Sequence, residues 1–345
     1  MEMVQEKQEG ERLRNMSKLC VVDLFCGAGG MSKGLEMAGF EVLMGIDVEP
    51  VFIETYKTNH LTAAEKSFAF DIRHISGAYI KQELTNKTIN LIAGGPPCQG
   101  FSLAGKRDPN DPRNALFMSF VRIVNDIQPE WFVTENVPGL LSMVTAKGDS
   151  VSDLIISEFE HIGYRVKQFK LLAADYGVPQ KRKRIFFIGN RLGKPIKLPT
   201  PTHAKTATQT LIGGRIEKWV PVRACLLPES EIPKVYYHSE KMIEGFKKRK
   251  ERNRQLGKGW GWQKLDLDQP SYTITAQYGK DGGAAVVPLV NGRTRMLTER
   301  ECARVQSFPD DYIFHGSKKN VYTQIGNAVP PLVAKAVGIS ILKYL

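Results

Sequence analysis

Four short stretches carry residues able to do chemistry. Cys98 sits in "GGPPCQGFS" (94–102), directly after two prolines and between glycines. Pro96 and Pro97 fix backbone angles and remove two amide donors, so the thiol is presented at a defined place. Neighbouring backbone N–H groups and arginines would lower its pKa and raise the fraction of nucleophilic thiolate. Glu135 ends "EWFVTEN" (130–136), where a carboxyl group can serve as the acid beside that nucleophile. In "QKRKRIFFIG" (180–189), Arg182 and Arg184 alternate with Lys181 and Lys183 at the entry of an apolar run. Period-two geometry sends the arginines to one face and the lysines to the other. Finally, "DLFCGAGGMSKG" (23–34) leads through Gly27 and Gly29 into a helical pattern, a turn that lets the backbone approach a nucleotide-like ligand. The position of the third glycine in G-x-G-x-x-G holds Ser32, which points away from a dinucleotide and toward an adenosine ligand without pyrophosphate. Asp47, twenty residues after Gly27, is placed to bond ribose hydroxyls.

These residues need a scaffold that gathers them. "LCVVDLF" (19–25), "EVLMGID" (41–47), "INLIAGG" (89–95), "EWFVTEN" and "RIFFIGN" (184–190) read as buried strands. Amphipathic stretches at 114–127 and 151–163 lie between them. Strands alternating with helices predict an α/β fold with a mostly parallel, doubly wound sheet, whose ligands sit at the carboxyl ends of the strands. Cys98, Glu135, Asp47 and the Gly27 turn fall at such ends, while Arg182 and Arg184 stand at a strand's entry. From 191 to about 290 the texture changes to Pro, Gly and Thr, with short strands such as "PSYTITA" and the basic run "KKRKERNR" (247–254). This predicts a second, smaller, irregular and β-rich domain inserted into the first. Residues 18–190 and 291–345 then form one domain, 191–290 the other, and 1–17 a charged lead-in.

Composition narrows the partners. Of 345 residues, 48 are Lys or Arg and 36 Asp or Glu, a net charge of +12 that favours a polyanion such as nucleic acid. No amphipathic basic helix and no uninterrupted apolar run of spanning length stand out, which argues against a membrane. The five cysteines (Cys20, Cys26, Cys98, Cys225, Cys302) include no C-x-x-C pair, so neither a zinc site nor any other metal is expected. An odd, scattered set predicts a reducing, cytoplasmic setting.

The chain resembles the DNA (cytosine-5)-methyltransferases of the prokaryotic modification type. The likeness rests on "DLFCGAGG", "GIDVEP", "FDI", "GGPPCQGFS", "ENVPGL", "QKRKRIFFIG", "LTERECARVQSFP" and "QIGNAVPP", in that order, with a long variable stretch between the sixth and seventh. It covers 19–190 and 295–345. The resemblance implies a Rossmann-like fold that binds S-adenosylmethionine. Phe25 would lie against the adenine, Asp47 with Val48 at the ribose, and Asp71 with Ile72 at the adenine. Gly27 and Gly29 would admit the methionine portion, and Pro97, Asn327 and Val329 would complete the pocket. It implies Cys98 as the nucleophile at cytosine C6, Glu135 at N3, Arg182 at O2, and Arg184 orienting the loop. Thiolate addition is what makes C5 nucleophilic. Elimination after methylation needs a base for the C5 proton, and no side chain is evident for it.

Attack perpendicular to the ring requires the base to be flipped out of double-stranded DNA. Gln99, Ser102, Lys106, Arg107, Arg113 and Gln180 are the expected DNA contacts, and 191–290 the target-recognition domain. A monomer is expected, with a cognate restriction endonuclease as an independent companion. A transfer-RNA cytosine-5 methyltransferase shares most motifs, but its Cys-Phe-Thr signature is missing here. A catalytically idle relative would lack the Pro-Cys or Glu-Asn-Val residues, and both are present.

Overall fold

The computed structural model describes residues 18–85, 87–97, 114–145, 148–209, 215–257, 262–290 and 292–344. Its centre is a sheet of seven strands: β1 (Cys20–Leu24), β2 (Glu41–Asp47), β3 (Phe68–Ala69), β4 (Leu91–Gly94), β5 (Trp131–Asn136), β6 (Arg165–Leu172) and β7 (Lys183–Asn190). They lie in the order β3-β2-β1-β4-β5-β7-β6. The first five are parallel, and β7 runs antiparallel to both β5 and β6. Helices α1 (Gly30–Ala38), α2 (Pro50–Asn59), α3 (Gly77–Glu83), α4 (Asn114–Ile127) and α5 (Val151–His161) connect the strands. The continuous apolar runs of the inner strands follow from helices covering both faces. Val22, Leu24 and Phe132 face a core with Phe120 and Phe159, while Val21, Val42 and Trp131 face another with Leu35 and Val337.

The sequence reading missed β6. Its "RVKQFKLL" exposes Arg165, Lys167 and Lys170 because the strand forms the sheet's edge, where charge discourages pairing with another chain. Conversely, "PSYTITA" forms no strand, and only Ser271 makes a bridge, to Gln180.

Beyond β7 the secondary structure is sparse. A three-stranded sheet, β8 (His203–Ala204), β9 (Thr208–Gln209) and β10 (Arg215–Lys218), is followed by helix α6 (Glu240–Gln255) and the pair β11 (Val287–Pro288) and β12 (Thr294–Arg295). A third core joins Val222, Ile274 and Tyr278 to Leu297, to Cys302 of α7 (Glu299–Val305) and to Tyr322 of α8 (Lys318–Asn327). Its polar anchor is buried. Glu301 takes both Arg295 Nη1 (2.8 Å) and Nη2 (2.9 Å), and accepts from the Leu227 and Thr298 amides. The last helix, α9 (Pro331–Leu342), returns to pack on α1. By length and hydropathy alone Lys318–Leu342 would suffice to cross a membrane, but it is two helices broken at Ala328–Pro330 and is mostly buried.

Candidate active site

The carboxyl ends of β1, β2, β4 and β5 open onto one cavity of about 570 Å³. Its first half is built on the turn after β1. Phe25 (φ 60), Gly27 (φ 54) and Gly29 (φ 86) all adopt left-handed backbone, which is costly for a residue as bulky as Phe25. Gly27 lines the cavity, and the space beside its Cα is open. Its amide donates to Asp47 Oδ2 (2.9 Å), while Asp47 Oδ1 accepts from the Glu49 amide (3.0 Å). Burial pushes the Asp47 carboxyl above its ordinary range, opposed by these amide bonds. Asp71 stands at the next strand end, where Arg73 holds it down to about 2 through hydrogen bonds to both oxygens. Asn327 and Val329 close the far wall.

Ser32, the residue that breaks the dinucleotide pattern, lies beneath this half. Fully buried, it donates to Asp23 Oδ2 (2.6 Å) and meets Tyr56 Oη at 2.7 Å. Asp23 Oδ1 and Gln324 Oε1 are buried acceptors without a hydrogen-bond partner, and both residues belong to the cavity wall. Burial raises Asp23 to about 7, eased by the Ser32 bond.

The second half is built on β4, β5 and the entry of β7. Pro96 and Pro97 line it, and Asn136 Nδ2 donates to the Pro96 carbonyl (3.1 Å), tying that turn to the end of β5. Glu135 faces the same space. Arg184 Nε stands 2.7 Å from its Oε1, close enough to pair but not aligned as a hydrogen bond. Burial raises the Glu135 pKa, with Arg184 and then Arg182 opposing.

Arg182 is 1 % exposed, and it donates to the Ile274 carbonyl through Nη1 and to the Gly326 carbonyl through Nη2, both at 2.9 Å. Burial and the like charge of Arg184 push its pKa down to about 9. Two carbonyl acceptors favour the cation, so the guanidinium is charged at neutral pH.

The cavity thus brings together Phe25, Gly27, Asp47, Val48, Asp71, Ile72, Pro97, Glu135, Arg182, Arg184, Asn327 and Val329. Three expectations need correction. Gly29 does not line the cavity: a Cβ there would lie 2.2 Å from His60 Nε2 and 2.8 Å from Tyr312 Oη, so its glycine serves packing and backbone. Gln180, expected at DNA, is fully buried. Its Oε1 accepts from the Ile274 amide (3.1 Å) and its Nε2 donates to Gln306 Oε1 (2.6 Å). Arg182, expected at the base, has two of its three nitrogens committed to carbonyls, which leaves Arg184 as the more accessible cation. Cys98, Gln99, Ser102, Lys106, Arg107 and Arg113 lie outside the described residues, as does the lead-in 1–17. Asn136 and Arg73 were missed. Asn136 stands inside the quoted "ENVPGL" and Arg73 directly follows "FDI", but neither motif told what its side chain would hold.

The family model described as C-5 cytosine-specific DNA methylase matches residues 19–343. The Type II methyltransferase M1.HphI of Haemophilus parahaemolyticus is 37% identical over 94% of this chain and 87% of its own length. M.DdeI of Desulfomicrobium norvegicum is 34% identical over 94% and 88%. Among solved structures, the S. pombe Dnmt2 methyltransferase superposes with a TM-score of 0.73 at 18% identity, covering 94% of this chain and 99% of that one, a likeness of fold.

Proposed function

The chain belongs to the C-5 cytosine-specific DNA methylases and is a DNA (cytosine-5) methyltransferase, and on that premise we propose that it methylates a cytosine flipped out of duplex DNA, through a bond between Cys98 and C6, with S-adenosylmethionine as donor. The observation that carries this reading is the single cavity with two chemically distinct halves. One half presents Asp47 and Asp71, with Asp23 and Gln324 also in its wall. Such a wall suits a cationic ligand bearing hydroxyl and amine donors, and S-adenosylmethionine is one. Asp47 and Val48 would hold its ribose, Phe25, Asp71 and Ile72 its adenine, and Gly27, Asn327 and Val329 its amino-acid end. When bound there it supplies an electrophilic methyl group to C5. The other half presents Glu135 and Arg184.

In that half the residues have separable tasks. The Cys98 thiolate gives an electron pair to C6, and the pair displaced from the C5–C6 double bond makes C5 nucleophilic. Glu135, with its pKa raised by burial, is suited to place a proton on N3 as charge moves into the ring. Arg184 takes O2, the role expected of Arg182, because it faces the base side while Arg182 is committed to backbone. Asn136 holds the Pro96 carbonyl, one turn before the thiol. After methylation a base takes the C5 proton, and the returning electron pair expels the thiolate.

Target recognition is assigned to 191–290, with the exposed Lys247 and Lys250 on one face of α6 toward phosphates. As the relatives are named Type II methyltransferases, a restriction endonuclease of the same specificity acting independently is the expected companion, with the enzyme working as a monomer in the cytoplasm.

Duplex DNA carrying 5-fluorocytosine in place of cytosine tests the mechanism. Fluorine cannot leave as a cation, so the final elimination stalls and the protein stays attached to DNA in denaturing detergent. Trapping should require S-adenosylmethionine and Cys98. Active enzyme that forms no adduct would refute C6 addition.

A further inference from the structure

The turn holds three left-handed residues within five positions, Phe25, Gly27 and Gly29, and inside it the Gly29 amide donates to the Cys26 carbonyl (2.9 Å). At Phe25 that backbone is strained, and such strain persists only where the surroundings over-determine it. Further support comes from residues far away in sequence. The Tyr312 hydroxyl donates to the carbonyl of Ala28, at the centre of the turn. The Tyr312 oxygen also meets His60 Nε2 at 3.1 Å, and His60 Nδ1 meets Glu36 Oε1 at 2.8 Å. Burial pushes the Tyr312 hydroxyl well above its ordinary range, so it keeps the donated proton. His60 and Tyr312 are each 1 % exposed, and together they fill the space that a side chain at position 29 would need. The segment carrying Tyr312 is strapped to α2. Asn59 Nδ2 donates to the Ile313 carbonyl (2.7 Å), and the Ile313 amide donates to Asn59 Oδ1 (2.9 Å).

We propose that Tyr312, held by His60 and Glu36, is a positioning residue that sets the Gly27–Gly29 turn in the form that receives the cofactor. The inference rests on the reading of that turn as the S-adenosylmethionine site. Tyr312 does not line the cavity; it acts through the Ala28 carbonyl, whose residue does. Loss of its oxygen leaves Ala28 O and His60 Nε2 without their shared partner, and the Ala28–Gly29 peptide keeps only the bond from the Gly29 amide to the Cys26 carbonyl (2.9 Å), so the turn beside Gly27 is less firmly set.

Tyr312→Phe is the direct test. It removes one oxygen and keeps the ring packed between Phe308 and Phe314. Calorimetric titration of the full chain with S-adenosylmethionine and with S-adenosylhomocysteine should show both dissociation constants raised about five- to tenfold, the scale of one lost hydrogen bond. In steady state the KM for the cofactor should rise by the same factor while kcat stays within about twofold, a split that loss of stability alone does not produce. Glu36→Gln, at a half-buried position, should shift binding in the same direction by about twofold, since His60 Nδ1 loses its carboxylate partner. A Tyr312→Phe protein with a lowered Tm but unchanged dissociation constants would overturn the positioning role and leave the cofactor reading standing. Wild-type protein that binds neither compound would overturn the cofactor reading, and this inference with it.

Discussion

Arg182→Met separates two accounts of one residue. If Arg182 acted on the base, its loss would slow methylation and leave the protein otherwise intact. The structure instead makes it a clamp between β7, the Ile274 carbonyl and the Gly326 carbonyl. Two charge-assisted bonds are worth about 1.5–3 kcal/mol each, or roughly 3–6 kcal/mol together. Relief from burying a guanidinium that the site pushes down to about 9 offsets part of this. A net loss of roughly 2–4 kcal/mol remains, about 3–6 °C in Tm for a chain of this length. Gly326 stands beside Asn327 in the cavity wall, so S-adenosylmethionine binding should weaken as well, by at least threefold in calorimetry without DNA. Arg182→Lys keeps the charge but cannot fork to both carbonyls, and should fall between wild type and Arg182→Met in both measurements. A Tm within 1 °C of wild type, unchanged cofactor affinity and a large drop in single-turnover rate would refute the clamp.

Three further outcomes follow from the same geometry. Glu135→Gln should lower the single-turnover methylation rate by about 10²–10⁴ with DNA affinity nearly unchanged, and an unchanged rate would remove Glu135 from the chemistry. Asp23 has its pKa raised from 3.8 to about 7 by burial, so its favourable contribution is complete below pH 3.8 and is lost as pH rises through 7. Relative to Asp23→Asn, wild-type stability should therefore decline across that window by up to about 4 kcal/mol and level off above it, and parallel denaturation curves at pH 5 and pH 8 would contradict this. Glu301→Ala strands a buried Arg295 and two amides, and should cost about 3–5 kcal/mol by chemical denaturation; a loss under about 1 kcal/mol would mean the Arg295 pair is not the anchor of the third core.

The parts legible in the sequence were those where local pattern and position coincide. The strands β1, β2, β4, β5 and β7 announce themselves as apolar runs, and Asp47, Glu135 and the Gly27 turn lie where such runs end. What stayed hidden depends on contacts between distant segments. Gln180 and Arg182 look like exposed polar residues of a basic stretch, and nothing local reveals that Ile274, Gln306 and Gly326 will close over them. Ser32 read as a missing glycine, whereas its hydroxyl links Asp23 to Tyr56, partners 9 and 24 residues away. The edge strand β6 lacked the apolar signal because only one side of it is paired.

The antiparallel direction of β7 is what makes the two arginines available to the site at all. Strands in a parallel sheet deliver their exits, not their entries, to the ligand edge, and Arg182 and Arg184 precede an entry. Six residue pairs join β5 to β7, so a parallel β7 would place that entry roughly 20 Å away, at the opposite edge. Reversal puts Phe186 opposite Glu135 and Ile185 opposite Asn136. Directly paired residues share a face, and so do residues two apart on one strand, so Arg184 emerges on the same side as Glu135, about 7 Å further along toward the ligand edge and within reach of its carboxylate. The 2.7 Å ion pair is the consequence, and it forces the site's polarity: an acid whose pKa burial raises, and a cation kept beside it to hold that rise in check. The chain's connectivity beyond β5 thus decides the electrostatics of the base-facing half, while the residues β1 to β3 deliver to the same edge, Asp47 and Asp71 among them, decide that of the cofactor-facing half.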